Sequence, residues 1–409
     1  MNRSKRFILL ASLALAGLSA CKKDSGNSGG GGGGGTVPPP TNPSTHADDV
    51  PVSDNSTSSV NITWDATAKK LSHDVYYAEY GRMRRVNSST LVLTYHCGGA
   101  GDYWNNIAFR KSTDNGATWS DAQILMTSNV PGYYGFSDPD ILVLQNGWLM
   151  LAYVGRGNPD DNAHDNVQIR ISKDNGTSWS DPKIIALGRS WEPGMVQLAD
   201  GDIEMFYSSE AGWWPSSSPQ QDILFIHSTD NGTTWTSPKE VAFATGYRDG
   251  MPTPLLLKDN KGIVFPIESV NNTKSPWVLW SSTDARWNYS GNGSTQNNRR
   301  WLATSDNVFG GAPYMVQLST GETLLSFQDG GGRNIGADWK KSTMLVYRGN
   351  TVANGFHRIN DPWPNLPVTE GAYYSSMFLK DDNTVDLITT RNFSDGHSEV
   401  WLKEGHITR

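Results

Sequence analysis

Apolar and polar residues follow one recurring arrangement along most of this chain: an apolar run, a turn rich in Gly, Asn or Asp, and a second apolar run. Six copies occur, at residues 83–95, 140–153, 193–207, 251–267, 313–327 and 374–389. Runs of this length bounded by turn residues are typical of paired β-strands, and no segment sustains the period of an amphipathic helix. The pattern therefore predicts an all-β chain built from six similar units.

A second repeat, S-x-D-N-G-x-x-W, follows each of the first three of these units. It occurs at residues 112–119, 172–179 and 228–235, and a degraded fourth copy begins at Ser282. Asp-Asn-Gly favours a tight turn with a residue at positive φ, in which the Asp oxygens accept hydrogen bonds from the turn's own amides. The Trp can then pack between neighbouring sheets. We therefore predict that the three aspartates stabilise turns and take no part in catalysis.

The spacing of the repeats predicts the architecture. Successive copies begin 60, 56 and 54 residues apart, which fits one four-stranded sheet with its loops. The phrase resembles the Asp-box of the sialidase-like β-propellers, and six units imply a six-bladed β-propeller of four-stranded antiparallel blades. Residues 399–403 form a third strand of the last blade, so its outer strand is expected from residues 60–64, which would remove an exposed edge. The alternative is that residues 60–64 form a loop into the first blade.

The N-terminus predicts export and lipidation. Residues 1–20 combine a basic start with an apolar stretch, and Leu18-Ser-Ala-Cys21 is similar to a bacterial lipobox, with Cys21 as the lipidation site. The alternative is an ordinary signal peptide. Residues 21–58 read as a flexible Gly/Pro-rich tether and residues 59–409 as the propeller. The organisation resembles that of Bacteroidetes lipoproteins, which implies a lipid-anchored protein of the cell envelope, exposed at the outer membrane.

Charge and cysteine content narrow the partners. The chain has 34 basic and 41 acidic residues, and removal of the signal peptide with its three basic residues leaves a net charge of −10. Nucleic acid is therefore not expected as a ligand. Only Cys97 remains after lipidation of Cys21, so no internal disulfide can form. No metal-binding or cofactor-binding motif occurs, and we expect a monomer without cofactors.

Chemistry is expected where the inner strands of a propeller converge. Glu192 begins one such strand and Glu268 follows an apolar run in the next unit, where an ionised group is costly to bury. Two carboxylates on either side of a sugar linkage are the usual equipment for glycoside cleavage. The alternative is that each glutamate forms an inert salt bridge with an arginine of the channel. The residues predicted to bind substrate beside them are Arg82, Asp138, Trp191, Arg248, Arg333, Tyr373 and Tyr374.

Two segments resemble a known family. Residues 191–210, beginning Trp191-Glu192-Pro193, and residues 247–268, with Arg-Asp-Gly-Met-Pro and then Glu268, are similar to motifs of glycoside hydrolase family 93, the exo-1,5-α-L-arabinanases. The resemblance covers residues 75–405, although Pro266-Ile267 stands where that family has a more regular strand. It implies retention of configuration, with Glu192 as the acid/base and Glu268 as the nucleophile. The implied substrate is α-1,5-linked L-arabinan.

Two other functions stay open. A sialidase needs three arginines, an Asp acid and a Tyr–Glu pair, which Arg82, Arg391 and either Arg248 or Arg333 could supply with Asp138 and Tyr374. However, Arg82-Met-Arg replaces the usual Arg-Ile-Pro, and no arginine after Glu268 fits the second position of the triad. A glycan-binding lipoprotein without catalysis could use its tryptophans as stacking platforms, with Trp213 and Trp214 as the best candidates.

Overall fold

The structure is a computed structural model, and it describes residues 58–99, 106–157, 164–214, 216, 219–271, 273–288, 300–304, 308–336 and 338–409. The predicted signal peptide, the lipidation site at Cys21 and the tether up to residue 57 lie outside these residues. Within them, no helix is long and apolar enough to cross a membrane.

The described chain consists almost wholly of β-strands, with one short 3-10 helix at Trp339–Lys341. The strands in the first half are β1 (Asn61–Trp64), β2 (Lys69–Lys70), β3 (Tyr77–Arg85), β4 (Leu91–Gly98), β5 (Asn106–Ser112), β6 (Gln123–Met126), β7 (Tyr133–Val143), β8 (Leu149–Gly157), β9 (Asn166–Ser172), β10 (Lys183–Leu187), β11 (Ser190–Gln197), β12 (Ile203–Ser209) and β13 (Asp222–Ser228). Those in the second half are β14 (Lys239–Ala242), β15 (Arg248–Gly250), β16 (Leu255–Leu256), β17 (Gly262–Asn271), β18 (Thr273–Ser282), β19 (Arg300–Leu302), β20 (Gly311–Gln317), β21 (Thr323–Asp329), β22 (Thr343–Gly349), β23 (His357–Arg358), β24 (Gly371–Asp381), β25 (Thr384–Asn392) and β26 (Ser398–Thr408).

Consecutive strands pair antiparallel into groups. The first group is β3–β6, the second β7–β10, the third β11–β14, the fourth β15–β19, the fifth β20–β23, and the sixth β24–β26 with β1 and β2. In the fourth group, β15 and β16 both pair with β17, so they act as one interrupted strand. A single parallel pair, Tyr77 with Ser398, joins the first and sixth groups into one sheet of nine strands. Each group contacts the next, and the sixth contacts the first. The all-β prediction with four-stranded antiparallel sheets is confirmed.

The outer strand of the sixth group comes from the other end of the chain. Asn61 pairs with Thr408 and Trp64 with Gly405, so β1 completes the sheet that β24 begins. This pairing confirms the prediction for residues 60–64. β1 thereby hydrogen-bonds with the backbone N–H and C=O groups along the edge of β26, which would otherwise face solvent.

The cores lie between neighbouring groups because the second strand of each group is buried on both faces. All residues of β4, β8 and β12 are buried, which explains why these strands are nearly continuous apolar runs. One cluster joins Met150 and Ile169 of the second group to Met195 and Met205 of the third. This packing fixes the position of each group's strand ends relative to those of the next group.

The Asp-box repeats form the turns that the sequence predicts. Asn175 and Gly176 both have positive φ, and Asp174 Oδ1 accepts hydrogen bonds from Ser172 Oγ at 2.8 Å and from the Ser178 amide at 2.8 Å. The other two copies repeat these bonds around Asp114 and Asp230. These donors lower the pKa of all three carboxyls to about 2. The aspartates therefore bind their own turns.

The tryptophans of the boxes pack as predicted, between groups. The Trp179 ring meets Phe109 of the first group edge-on, with ring centroids 5.3 Å apart. In the degraded fourth copy, Trp287 is buried and its indole N–H donates to Glu204 Oε2 at 3.2 Å. Because Ser112 pairs with Leu91 at the start of β4, the boxes lie at the opposite edge of each group from the end of its second strand. We call these the turn edge and the site edge.

Candidate functional site

One residue near the start of each group has a left-handed backbone, and none of the six is a glycine. In five groups this residue lies where the register between the first and second strands shifts. In the fourth group it lies at the interruption between β15 and β16. The residues and their φ angles are Tyr80 (63°), Asp138 (52°), Glu192 (53°), Met251 (58°), Ala312 (48°) and Tyr374 (48°). A side chain in this conformation costs about 1–3 kcal/mol, and such strain concentrates at functional sites.

The amides of these residues are bound by side chains of the preceding group. Each acceptor lies on the second strand of its own group. There it pairs across the sheet with the residue just before the left-handed residue of that same group. The bonds are Tyr80 N to Thr390 Oγ1 at 3.1 Å, Asp138 N to His96 Nδ1 at 3.2 Å, Met251 N to Ser208 Oγ at 3.1 Å, Ala312 N to Glu268 Oε2 at 2.9 Å and Tyr374 N to Gln328 Oε1 at 3.1 Å. The equivalent residue of the second group is Val154, whose side chain has no acceptor. The bonds tie neighbouring groups together around a common centre.

The two predicted catalytic glutamates meet at this centre, with Gly250 between them. Glu268 pairs with Gly250 across β15 and β17. A Cβ placed on Gly250 would lie 3.5 Å from Glu192 Oε2 and 3.6 Å from Glu268 Cγ, so these two atoms are at most about 7 Å apart. Both side chains are partly exposed. The structure therefore brings together, on one surface, the two carboxyl groups that the sequence singles out.

Glu192 is held by two donors yet favours the protonated form. Ser208 Oγ donates to its Oε2 at 2.8 Å and the Met251 amide donates to the same oxygen at 2.9 Å. Burial, followed by the negative charges of Asp138 and Glu268, raises the pKa of Glu192 to about 8. The burial and the like charges outweigh the two hydrogen bonds. At neutral pH this group can donate a proton.

A buried ion pair supports the strands that carry Glu268 and Gly250. Arg300 donates from two nitrogens to Asp249, at 2.6 and 3.1 Å, and to Ser269 Oγ at 3.0 Å. Ser269 Oγ in turn donates to Asp249 Oδ1 at 2.6 Å. Because Asp249 and Ser269 directly adjoin Gly250 and Glu268, the network fixes the register at the site.

Tyr373 lies under the site. Its side chain is fully buried, and its hydroxyl donates to Glu79 Oε1 at 2.9 Å. His96 lies between this carboxylate and Asp138, with a ring nitrogen 3.8 Å from each. Asp138, one of the predicted substrate-binding residues, lies close enough for its charge to act on Glu192. Tyr373, another of them, is buried below the site and supports it from there.

Two tyrosines pack together beside the glutamates, Tyr80 almost fully buried and Tyr374 partly exposed. The Tyr80 and Tyr374 rings pack edge-on, 5.6 Å apart, in a cluster with Met251 and Ala312. Burial raises the pKa of Tyr80 well above its usual range, and Glu192 adds to this effect. Arg82 lies against Tyr80, with its guanidinium carbon 3.8 Å from the ring centroid. Because Arg82 is only 2 % exposed, it supports the Tyr80 ring and has no surface for substrate contact.

Trp191 and Arg248 lie in a network of charges beside Glu192. The Arg156 guanidinium carbon lies 3.8 Å from the centroid of the Trp191 ring. Arg248 donates to Glu210 Oε1 at 2.5 Å and to the Pro219 carbonyl at 2.6 Å. Glu210 also accepts a bond of 2.9 Å from Arg189. The cations here are therefore already matched by acidic or carbonyl oxygens.

The remaining arginines are dispersed. Arg333 donates to the carbonyls of Pro367 and Glu370, at 2.6 and 2.7 Å, and Arg391 donates to Glu370 Oε2 at 2.6 Å. None of the contacts described for Arg82, Arg248, Arg333 and Arg391 joins three of them at one point. The arginine triad of the sialidase alternative is thus not assembled by the described contacts, and Arg333 is not brought to the glutamates.

Comparison with known proteins shows what the fold is similar to. A BNR repeat-like domain profile matches residues 147–306. The structure is similar to that of a protein of unknown function from Dyadobacter fermentans, with TM-score 0.65 and 15 % identity over 85 % of this chain and 100 % of the other. It is similar to the GH93 α-L-arabinofuranosidase of Fusarium graminearum in complex with arabinobiose, with TM-score 0.59 and 17 % identity over 85 % and 98 % of the two chains.

A third solved structure, the NanB sialidase from Streptococcus pneumoniae, has TM-score 0.57 and 12 % identity, over 81 % of this chain and 68 % of the other. No curated protein sequence matches the chain. The chain has a sialidase-like fold. Both named activities among these neighbours are those of glycoside hydrolases.

The sialidase-like fold carries one group of metal-type ligands among the described residues, and it is remote from the glutamates. Ligand atoms of Asp65, Glu404 and His406 lie within 4.8 Å of one another near the outer strand of the sixth group. Glu404 is already paired, because Lys380 Nζ lies 2.5 Å from it, and His406 Nε2 lies 3.0 Å from Asp65 Oδ1. The sequence predicts no metal site, and we propose none here.

Sequence reasoning missed several groups that complete the site: Ser208, the Met251 amide, Gly250, Tyr80 and the Arg300–Asp249 pair. Ser208 and Gly250 stand inside the two segments that resemble family 93, so they could have been found there. Met251 stands in the second of these segments as well, whereas Tyr80 had no such signal, because Tyr is not a usual marker of a left-handed backbone. Cys97 is free and buried, as predicted.

Proposed function

We propose that this chain is an exo-acting, retaining glycoside hydrolase that releases short products from α-1,5-linked L-arabinan. The observation that supports this most directly is the convergence of Glu192 and Glu268 on Gly250, with the pKa of Glu192 raised to about 8. We also propose that the six strand groups are the blades of a closed propeller, since each group contacts the next and the sixth contacts the first.

In the proposed reaction, Glu192 is the general acid and Glu268 the nucleophile. Glu192, protonated at neutral pH, gives its proton to the leaving oxygen while Glu268 attacks the anomeric carbon. Retaining enzymes hold their carboxyl groups about 5–5.5 Å apart, which the upper limit of about 7 Å between Glu192 Oε2 and Glu268 Cγ allows.

The electrostatics fit a two-step reaction. Once Glu268 is esterified in the glycosyl-enzyme, its negative charge is lost, and that charge is one of the causes that raise the pKa of Glu192. The pKa of Glu192 then falls, which favours its second role as the base that activates water. The same residue can therefore serve as acid and then as base.

The charges around the site favour a neutral sugar. Arg248 is bound to Glu210, and Arg156 lies 3.5 Å from Asp165, so these cations are balanced. A sialic acid carboxylate would need arginines that are free to bind it together. The partly exposed ring of Tyr374 instead suits the apolar face of a furanose ring.

We further propose that the enzyme is a monomer anchored to the cell envelope through a lipid on Cys21. The support is the signal sequence and the lipobox-like segment that ends at Cys21. Lipid chains on a long tether would hold the catalytic domain at the surface, where polysaccharide is encountered. Replacement of Cys21 by Ala should release the protein from membranes in a fractionation assay, without changing its activity.

The function is tested by incubating the purified protein with linear arabinan and with sialyllactose. We expect short arabino-oligosaccharides, and proton NMR of the first product should show retained anomeric configuration. Release of sialic acid, abolished by Tyr374→Phe, would instead establish the sialidase alternative. Binding of arabinan without any product would support a glycan-binding protein and overturn the proposed activity.

A further inference from the structure

A cavity lies on the sixth group, away from the glutamates. It has a volume of about 540 Å³ and opens between β1 and the segment that follows β23. Its walls include Trp64 and Trp363, three prolines of residues 362–367, and the side chains of Arg391 and Lys403. The volume lies within the range of small-molecule sites, which is about 300–1,000 Å³.

Lys403 is the unusual residue of this cavity. It is only 7 % exposed, and no hydrogen bond or ion pair is described for its ammonium group within the part of the chain that the structure covers. Its Nζ lies 4.4 Å from the centroid of the Trp363 ring, and the Arg391 guanidinium carbon lies 4.4 Å from the same centroid. Arg391 is paired with Glu370 at 2.6 Å, which leaves Lys403 as the cation without a carboxylate.

An ammonium in this position is costly without an anionic partner. Burial, and then the nearby charge of Arg391, lowers the pKa of Lys403. Asp65 also faces the cavity, and its charge acts in the opposite direction on the pKa of Lys403, but no ion pair between the two is described and the Asp65 carboxylate lies 3.0 Å from His406. A buried charge is normally matched by an opposite charge that also accepts its hydrogen bonds. The cavity therefore has the electrostatic character of a site for an anionic group.

The same cavity has a fixed aromatic wall at Trp64. The Trp64 indole N–H donates to the Asn360 carbonyl at 2.8 Å, and the ring lies against Gly405, where a Cβ would come within 2.7 Å of it. Only glycine permits this close approach, so the ring is held in one orientation. The Trp363 indole nitrogen is buried, and no hydrogen-bond partner is described for it. A fixed indole beside a cation is the arrangement that binds a sugar ring carrying a charge.

We propose that this cavity is a binding site for a uronic acid residue of a saccharide, with the carboxylate on Lys403 and the sugar ring on Trp64. The site contains neither Glu192 nor Glu268, so binding there would be a property additional to the proposed hydrolysis. It would hold acidic polysaccharide next to an enzyme whose own catalytic site is suited to neutral sugar.

Isothermal titration calorimetry with trigalacturonate and with its methyl ester tests this site. The two probes have the same rings, but the ester lacks the charges. We expect the acid to bind the full chain at least about tenfold more tightly than the ester, since a hydrogen bond to a charged group contributes about 1.5–3 kcal/mol. Equal affinity for both probes, or no binding of the acid, would overturn the proposal.

Variants assign the binding to the cavity. Lys403→Met retains the length of the side chain and should weaken binding of the acid at least about tenfold, while Trp64→Leu should weaken both probes. Lys380→Met is the matched control, because Lys380 lies on the same sheet but is bound to Glu404. Undiminished affinity in Lys403→Met with an unchanged melting temperature would refute the site. Glu268→Gln should bind the acid normally, which separates this test from that of the hydrolase.

Discussion

The two edges of the strand groups use carboxyl groups in opposite ways. At the turn edge, Asp114 and Asp174 are exposed to solvent and Asp230 is partly exposed, and hydrogen-bond donors lower the pKa of each to about 2. At the site edge, burial raises the pKa of Glu192 to about 8, although two donors bind it as well. Each Asp-box carboxylate accepts three hydrogen bonds and Glu192 accepts two, but burial is the largest cause of the raised pKa of Glu192, and neighbouring carboxylates add to it.

The comparison shows why the most conspicuous acidic residues are not the reactive ones. A carboxylate that stays ionised through nearly the whole pH range cannot exchange a proton with a substrate near neutrality. Glu192 can, because its pKa lies close to the working pH. The aspartates of the turn edge instead stabilise the turns that connect the outer strands of each sheet.

The largest effect that separates the two edges is expected for Glu268→Gln. Loss of the nucleophile should reduce turnover of arabinan by more than about 10³-fold. The fold should persist, because Gln328 occupies the equivalent position of the fifth group and accepts the same backbone hydrogen bond. Initial rates on arabinan, together with the melting temperature, measure the two effects.

Gln328→Ala is the matched control for that variant. It removes an equivalent bond to a backbone amide without removing a carboxylate, and should lower stability while preserving much of the activity per folded molecule. If Glu268→Gln keeps wild-type turnover, the carboxylate of Glu268 is a cap like its counterparts His96, Ser208 and Thr390, and the proposed nucleophile is wrong.

The next effect is expected for Glu192→Gln. General acid–base catalysis contributes about 10²–10⁴-fold, so hydrolysis of arabinan should fall by that order. An aryl arabinoside with a good leaving group needs little protonation and should keep its fast first step. Stopped-flow release of the aryl group tests this. Equal losses on both substrates would show that Glu192 does not protonate the leaving oxygen.

Much of the fold could be predicted from the sequence, because its signals are local and repeated. Asp-Asn-Gly determines a turn by itself, and the apolar runs mark the buried second strands. The closing strand could also be predicted, since a terminal group that lacks one strand must recruit it from elsewhere. Both glutamates were found for a similar reason: each interrupts or follows an apolar run.

The side-chain directions at the site could not be predicted. The left-handed residue in each first strand shifts the alternation of inward and outward side chains by one position. The residue types found there, Tyr, Asp, Glu, Met and Ala, do not together mark a left-handed position in the sequence. Tyr373 and Arg82 stand at the predicted strand ends, but this shift leaves both of them buried beneath Tyr374 and Tyr80. The bonds between groups, such as Ser208 to Met251, depend on tertiary packing and have no sequence pattern.

Asp138→Asn should move the pH profile of the reaction. The charge of Asp138 is one cause of the raised pKa of Glu192, so its removal lowers that pKa. Because Glu192 must be protonated, kcat/KM is high below a pH of about 8 and falls above it. In the variant this basic limb should shift to lower pH, on the order of one unit.

The control for Asp138→Asn is Asp181→Asn, an equal charge change at an exposed position of the turn edge, which should leave the limb in place. An unshifted limb in Asp138→Asn would show that the charge does not act on Glu192. Complete loss of activity at every pH would instead indicate that Asp138 is itself the proton donor, as in the sialidase alternative.

The smallest effect on turnover is expected at the turn edge, for Asp174→Ala. The variant should melt a few degrees lower than the wild type while its activity per folded molecule stays unchanged. The pKa of Asp174 is lowered from 3.8 to about 2 in the folded state, so its ionised form stabilises the fold above about pH 4, and this contribution is lost as the pH falls towards 2. The melting difference between wild type and variant should therefore be present at pH 7 and shrink between pH 4 and pH 2.

The neighbouring exposed variant Asp181→Ala should show no such pH-dependent difference. Loss of turnover in Asp174→Ala without a change in melting would mean that the turn edge takes part in catalysis, and the separation of the two edges would fail.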